Sequence, residues 1–278
     1  FEASEIKATE AIAYQKNNAT YTKDVTPAIR VQADAQTRIY QRILTNANGF
    51  ADQGKLREAD AEAQKALAYQ AAHTAAIAEP SAAKTALLRV KGLIYKDNIT
   101  KAKVLADQNQ NREALLLLDE AVLIETEFAV TKDLTLWTAV QKSAKAVILE
   151  DYNKGQIAAK ANKLPEARSL AQTAQSNSVK YRLQADADVV KANEAAGGAI
   201  FSQECANAQA EFDNLNREAE TLKKVKKFIE ASETYDKGLA AVAKQASCGI
   251  DTRRASEGKT DIASPVLYQQ YLKQSQAS

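Results

Sequence analysis

The sequence predicts an all-α protein built as an array of long antiparallel helical hairpins. Of its 278 residues, 45% are apolar but only 6% are aromatic, and alanine supplies much of the apolar content. Four prolines and nine glycines leave little material for a turn-rich β fold. A helix, turn and helix pattern also recurs four times along the chain, which favours a repeat array. An elongated helical bundle is the alternative fold.

Apolar residues at helical spacing place the elements in the first half of the chain. The predicted helices span about 3–18, 26–53, 56–79, 80–108 and 111–130. Thr26 before Pro27 favours a helix start, because it combines a capping hydroxyl with a proline at the first helical position. Pro80 opens the fourth helix. The fifth is apolar almost all round, so we expect it to be the most enclosed element.

The helical pattern continues through the second half of the chain. Its predicted helices span about 131–161, 165–196, 201–226 and 228–247. Thr131 is expected to cap the first of them, whose apolar stripe includes Leu134 and Trp137. Gly197 and Gly198 are expected to break the pattern between the second and the third.

A change in composition near Gly249 predicts where the packed helices end. The residues that follow are mostly Asp, Thr, Arg, Ser, Gly and Lys. We therefore expect a single helical-repeat domain over 1–249. Residues 250–278 are expected to form a C-terminal tail or linker, with a short terminal helix after Pro265.

The four turns align on a glutamate–alanine pair. The aligned glutamates are Glu58, Glu113, Glu166 and Glu230. A small residue precedes each by eleven positions: Ala47, Ala102, Gly155 and Ala219. Eight positions before each stand Phe50, Leu105, Ala158 and Leu222, and eight after stand Ala66, Ala121, Ala174 and Gly238. Small residues on facing helices allow two backbones to approach closely, so these columns predict tightly packed antiparallel pairs.

This pattern resembles the tetratricopeptide repeat (TPR), most closely over residues 54–67, GKLREADAEAQKAL. Two features depart from that family. The repeat here is 53 to 64 residues long, whereas the family period is about 34. The glycine before the turn is kept only at Gly54, and Asn109, Asn162 and Lys226 replace it elsewhere. The resemblance implies a TPR-like array of longer hairpins, with turns near 54, 110, 163 and 227.

The resemblance also implies a binding surface. In such arrays the first helices of the hairpins form a curved groove that recognises a protein or peptide. The matching positions in this sequence are Asn48, Asp52, Lys103, Asp107, Tyr152, Gln156 and Lys160.

The two cysteines, Cys205 and Cys248, provide a geometric test of the last hairpin. Its turn lies near Lys226 and Lys227, midway between them, so folding there brings both thiols to the same height on neighbouring helices. A disulfide between them would close a long loop and would indicate an oxidising compartment. The alternative is two reduced, buried cysteines. The chain contains no methionine, and we expect that a signal peptide was removed before Phe1, which favours a periplasmic, secreted or cell-surface location. The alternative is that the sequence is an excised fragment of a longer chain.

Most other classes of function lack a signal in the sequence. A single histidine, His73, leaves no basis for a histidine-rich metal site, and no phosphate-binding glycine loop occurs. We therefore expect no enzyme, no cofactor and no metal. A net charge of +2 gives no general attraction to nucleic acid. No apolar run is long enough to predict a transmembrane span.

These observations predict a non-enzymatic scaffold or adaptor of the cell envelope or cell surface that binds a protein or peptide. The alternative is a structural subunit that self-assembles into a fibre or layer, or joins a larger complex, through its terminal hairpins and tails. Binding of cell-wall glycan is less favoured, because a lone Trp137 on an expected core stripe offers little aromatic surface.

Overall fold

The computed structural model describes residues 1–18, 24–77, 81–128, 130 and 132–276, and within them every regular element is helical. The α-helices are α1 (Glu2–Asn17), α2 (Thr26–Asp52), α3 (Leu56–Ala72), α4 (Ser81–Asp107), α5 (Asn111–Glu127), α6 (Leu136–Lys160), α7 (Leu164–Lys180), α8 (Ala187–Lys224), α9 (Phe228–Ala243) and α10 (Arg253–Gln276). A short 3₁₀ helix, Ala246–Cys248, follows α9. The all-α prediction is confirmed. Across the described ranges, no helix combines the length and the apolar character needed to span a membrane.

Helices that follow one another in the chain pack side by side. The chain divides into two compact units, Phe1–Ala144 and Lys145–Ser278. In the first unit, α2 pairs with α3, α4 pairs with α5, and α3 also packs on α4. In the second unit, α8 packs on both α7 and α9, and α10 packs on α9. Each unit is thus an array of antiparallel helices in which sequence neighbours are spatial neighbours.

The four predicted turns share one backbone geometry. Gly54, Asn109, Asn162 and Lys226 all adopt the left-handed conformation, with φ between 58° and 71°. In each turn the next residue donates its N–H to a carbonyl five residues earlier: Lys55 to Phe50, Gln110 to Leu105, Lys163 to Ala158 and Lys227 to Leu222, at 2.8–3.0 Å. This bond is the one that closes a helix in the Schellman motif. It ties each turn to the residue eight positions before the aligned glutamate, so the repeat is a structural one.

The columns of small residues are all buried. Ala47, Ala102 and Ala219 are at most 1% exposed, and the alanines after the aligned glutamates, Ala59, Ala114, Ala167 and Ala231, are 0% exposed. Gly155 shows why size matters here, because a Cβ built on it would lie 3.3 Å from the Ala167 carbonyl oxygen. The backbones of α6 and α7 therefore approach closely, as the columns predict.

The prediction that α5 is the most enclosed element is wrong. Leu115 and Leu118 are buried, whereas Leu116 is 71% exposed and Leu123 is 54% exposed. The main packing partner of α5 is α4, so apolar composition all round does not produce burial all round.

Two helix boundaries in the second half of the chain differ from those that the sequence predicted. The chain leaves α7 at Tyr181 and enters α8 after Asp186, whose side chain accepts from the amides of Asp188 and Val189. α8 then continues through Gly197 and Gly198, where the sequence predicted a break. A good N-cap thus determines the boundary, while glycines inside a long packed helix are tolerated.

The start of α6 differs from its prediction too. Leu134 is 93% exposed and Trp137 is 37% exposed, so neither lies on the core stripe. The stripe begins instead with Leu136 and Val140, which are at most 3% exposed. The predicted helix starts at Pro80 and Thr131 lie outside the described residues.

The expected C-terminal tail is a packed helix. Residues 253–276 form α10, which continues through Pro265 and buries Ala255 and Ile262 against α8 and α9. The apolar signal in this segment is weak because alanine, glycine and one isoleucine supply its buried side. At Gly258 a Cβ would lie 2.6 Å from the Cζ atom of Tyr235, so a glycine is needed for α10 to approach α9.

Candidate partner-binding groove

The groove residues predicted on α2 are joined to α4 by a residue that the sequence analysis did not identify. Arg89 of α4 donates to the Asn48 side-chain oxygen at 2.8 Å and to the Asp52 carboxylate. Arg89 and Asp52 remain well exposed, at 43% and 66% of their side chains. The contact aligns two first helices of neighbouring hairpins, and it leaves charged groups on their common surface.

The other two groove residues in the first unit, Lys103 and Asp107, lie exposed near the end of α4. Neither forms an ion pair within the described part of the chain. Stepping back along the helix from Lys103 by three or four residues reaches Thr100, Lys96, Gly92 and Arg89, which are on the same side of α4 because an α-helix has 3.6 residues per turn. This period is the signal that could have identified Arg89 and Lys96.

The upper part of this stripe borders a shallow cleft of about 470 Å³. Arg89 and Lys96 line it together with Leu88, Gly92 and Leu93. Leu88 is 41% exposed, so the cleft offers an apolar contact beside Arg89 and Lys96. Such a surface is suited to an acidic segment that carries an apolar side chain.

In the second unit, one of the predicted groove residues is buried. Tyr152 on α6 is 1% exposed, and burial raises the pKa of its phenol. It is a core residue, because the longer helix turns this position toward its neighbours. Gln156 is half-buried and Lys160 is exposed, so these two keep an accessible position on α6.

The predicted disulfide is present. Cys205 of α8 is bonded to Cys248 after α9, with 5.3 Å between their Cα atoms. Lys223 of α8 forms a 2.8 Å ion pair with Asp261 of α10, and the Tyr235 hydroxyl donates to Glu220. Covalent and polar contacts thus fasten α9, the segment after it and α10 to α8.

The first unit has a cluster of titratable groups where α1 packs on α2 and α3. Glu5 accepts hydrogen bonds from Gln36 at 2.9 Å and from the Tyr69 hydroxyl at 3.2 Å. Burial, followed by the neighbouring Glu5, raises the pKa of Tyr69 to about 12. His73 lies 3.8 Å from Glu5 and its ring packs on that of Tyr69. Each of these groups has a packing partner, so the cluster serves to hold α1.

No group of three or more potential ligands that could hold a metal ion occurs among the residues that the structure describes. Comparison with models of protein families, with curated proteins and with solved structures gives no match to this chain.

Proposed function

We propose that the protein is a TPR-like scaffold or adaptor that binds a protein or peptide partner along the first helices of its hairpins. The observation that carries this proposal is the exposed stripe of α4, in which Arg89, Lys96 and Lys103 follow one side of the helix beside the apolar Leu88. Repetition of the turn geometry and of the buried small-residue columns supports the TPR-like part of the proposal.

The partner segment is proposed to be acidic. Lys96 and Lys103 form no ion pair with the described residues, so both charges can act on a ligand. Exposed charges of this kind act mainly on the rate of association and on the choice of partner.

We place the protein in the cell envelope or at the cell surface. The disulfide between Cys205 and Cys248 supports this location, because such bonds persist in oxidising compartments.

Site-specific photo-crosslinking tests the location of the groove. A photoreactive phenylalanine analogue replaces Lys96 in the full chain, and the protein is irradiated in an envelope extract of the source cells. The matched control carries the same analogue at Lys65, which is 60% exposed on α3. We expect one discrete adduct at position 96 and none at position 65. Equal adduct patterns at both positions would reject the groove.

A second candidate function, self-assembly into a fibre or layer, is favoured by apolar side chains on the terminal helices. Ile6 and Tyr14 on α1 are 56% and 63% exposed, and Leu267 and Tyr268 on α10 are 53% and 66% exposed. Light scattering over a hundredfold range of concentration distinguishes the two functions. A mass that increases with concentration supports assembly, whereas a constant monomer mass supports the adaptor.

A further inference from the structure

The exposed side of α5 carries leucines and glutamates that the proposed function does not use. Leu116 and Leu123 are 71% and 54% exposed. Exposed glutamates recur beside them at intervals of seven residues, at Glu113, Glu120 and Glu127. None of the three forms an ion pair with the described residues. Positions three, four and seven residues apart share one side of a helix, so these five residues form a single stripe, the acidic stripe of α5.

The acidic stripe of α5 matches the exposed stripe of α4 in spacing and is opposite to it in charge. Arg89, Lys96 and Lys103 also recur at intervals of seven residues, which is about 10.5 Å along a helix axis. Three cations on one helix can therefore lie level with three carboxylates on the other, whichever way the second helix runs. Complementary charges of this kind favour contact between the unlike stripes and disfavour contact between like ones.

The leucines of α5 have a matching feature on α4. With the charges level, one leucine lies level with Gly92 or Leu93, because both leucines and both of these residues fall three or four positions from the nearest charges. A Cβ added at Gly92 would have no packing neighbour within 4 Å, so the surface of α4 is open there. The cleft of about 470 Å³ beside Leu88, Gly92 and Leu93 can thus receive an exposed leucine and remove it from water.

We propose that the exposed stripe of α4 also binds a second copy of this chain, through the acidic stripe of that copy's α5. The glutamates of one copy pair with the cations of the other, and a leucine enters the cleft at Gly92. The inference rests on the proposed function in one respect, namely that the stripe of α4 binds an acidic segment. It goes beyond that function because a second copy and a foreign acidic partner then compete for one stripe. Exposed ion pairs contribute little each, so such a partner can displace the second copy.

Reciprocal charge reversal in the purified full chain tests this contact. The α4 variant is Lys96→Glu with Lys103→Glu, and the α5 variant is Glu120→Lys with Glu127→Lys. Sedimentation equilibrium measures the mean mass over a wide range of concentration. The wild-type mass should increase with concentration, and each variant alone should need at least about tenfold more protein to reach the same mass, because like charges then face each other.

An equal mixture of the two variants should associate where neither does alone. The unchanged α5 of one variant then meets the unchanged α4 of the other, which restores the wild-type contact. Lys16→Glu with Lys65→Glu is the control for net charge, because it makes the same change as the α4 variant on α1 and α3. This control should associate as the wild type does.

The leucines are tested by Leu116→Gln with Leu123→Gln. Both side chains are exposed, so the variant should fold as the wild type does and lose association. Leu267→Gln with Tyr268→Gln distinguishes this contact from assembly through α10, where both residues are exposed. Loss of association in the α10 variant, with none in the leucine variant of α5, would place the contact at α10 and overturn the proposal.

Three further results would overturn it. These are a constant monomer mass in the wild type, association of the α4 and α5 variants equal to that of the wild type, and no association in their mixture. A constant monomer mass together with an adduct to another protein at position 96 would reject the second copy and leave the proposed function standing. Self-association without any such adduct would reject the foreign partner and keep the contact between copies.

Discussion

Four turn residues show how strongly local geometry is specified in this chain. The turn requires a left-handed residue, which glycine adopts without strain and asparagine adopts more readily than most others. Gly54, Asn109 and Asn162 follow this preference, but Lys226 at φ 60° does not. The aligned Glu230 predicts the position of this turn. A lysine at position 226 gives no indication that the residue is left-handed.

Replacing Lys226 with glycine should therefore stabilise the protein. Relief of the left-handed strain outweighs the greater entropy of glycine in the unfolded chain, and we expect a gain of up to about 1 kcal/mol in the free energy of unfolding. Urea denaturation measures it. Lys237→Gly is the matched control, because Lys237 lies exposed inside α9, where glycine should lower the free energy of unfolding by up to about 1 kcal/mol. A loss in Lys226→Gly would show that the turn is not left-handed.

A single carboxylate reports on the attachment of α1. The hydrogen bond from Arg42 lowers the pKa of Glu2 from 4.5 to about 2. Because the pKa is lower in the folded state, the contribution of this ion pair is present above pH 4.5 and is lost as the pH falls toward 2.

NMR titration of the Glu2 side-chain carboxyl tests this contact. We expect a midpoint near pH 2 in the wild type and a return toward the ordinary value in Arg42→Gln. Arg30→Gln serves as the control, since Arg30 lies exposed on the same helix, whereas the arginine that pairs with Glu2 is Arg42. A midpoint near 4.5 in the wild type would mean that α1 does not hold Glu2 against Arg42.

At the scale of the element, α10 shows a packed helix that composition alone does not reveal. Its close approach depends on Gly258 facing Tyr235, and Tyr235 is 1% exposed and bonded to Glu220, so the ring has little freedom to move. The fit between Gly258 and Tyr235 leaves no signal in the helical periodicity of the sequence. This explains why residues 250–278 were predicted to form a tail or linker.

Substituting Gly258 with alanine should weaken the docking of α10. The added methyl group overlaps the Tyr235 ring, and overpacking of this kind costs about 1–3 kcal/mol. Hydrogen exchange in α10 and urea denaturation both measure the effect. Gly198→Ala is the control, because Gly198 lies in α8 with no neighbour within 4 Å of an added Cβ and should gain stability. Equal gains in both variants would contradict the packing of α10.

The disulfide acts on the same end of the chain. Cys205 and Cys248 are 43 residues apart, so in the chain-entropy model their bond stabilises the folded state by about 4 kcal/mol. We expect Cys205→Ser with Cys248→Ser to lower the free energy of unfolding of the second unit by up to that amount. Dithiothreitol should reproduce the loss in the wild type and leave the double variant unchanged. Identical denaturation of the oxidised wild type, the reduced wild type and the double variant would reject a stabilising role for the disulfide.

For the whole molecule, the sequence predicted those features that repeat. The turns and the buried columns from Ala47 to Gly238 recur at related positions, so each copy reinforces the others. The disulfide occurs once but was predictable, because its position follows from the last of the repeated turns. The exposure of Leu116 was not predictable, because it depends on which helices lie beside α5. For the same reason the groove positions taken from the TPR resemblance include both Lys103, which is exposed, and Tyr152, which the structure buries.

The central claim is that the exposed stripe of α4 binds an acidic polypeptide. Calorimetric titration with the partner identified by crosslinking tests it most directly. The double variant Lys96→Glu with Lys103→Glu should raise Kd about tenfold or more, which corresponds to a loss of about 1.4 kcal/mol in binding free energy. Lys16→Glu with Lys65→Glu makes the same change in net charge on α1 and α3 and should leave Kd unchanged. Equal Kd values for the wild type and both double variants would contradict the claim.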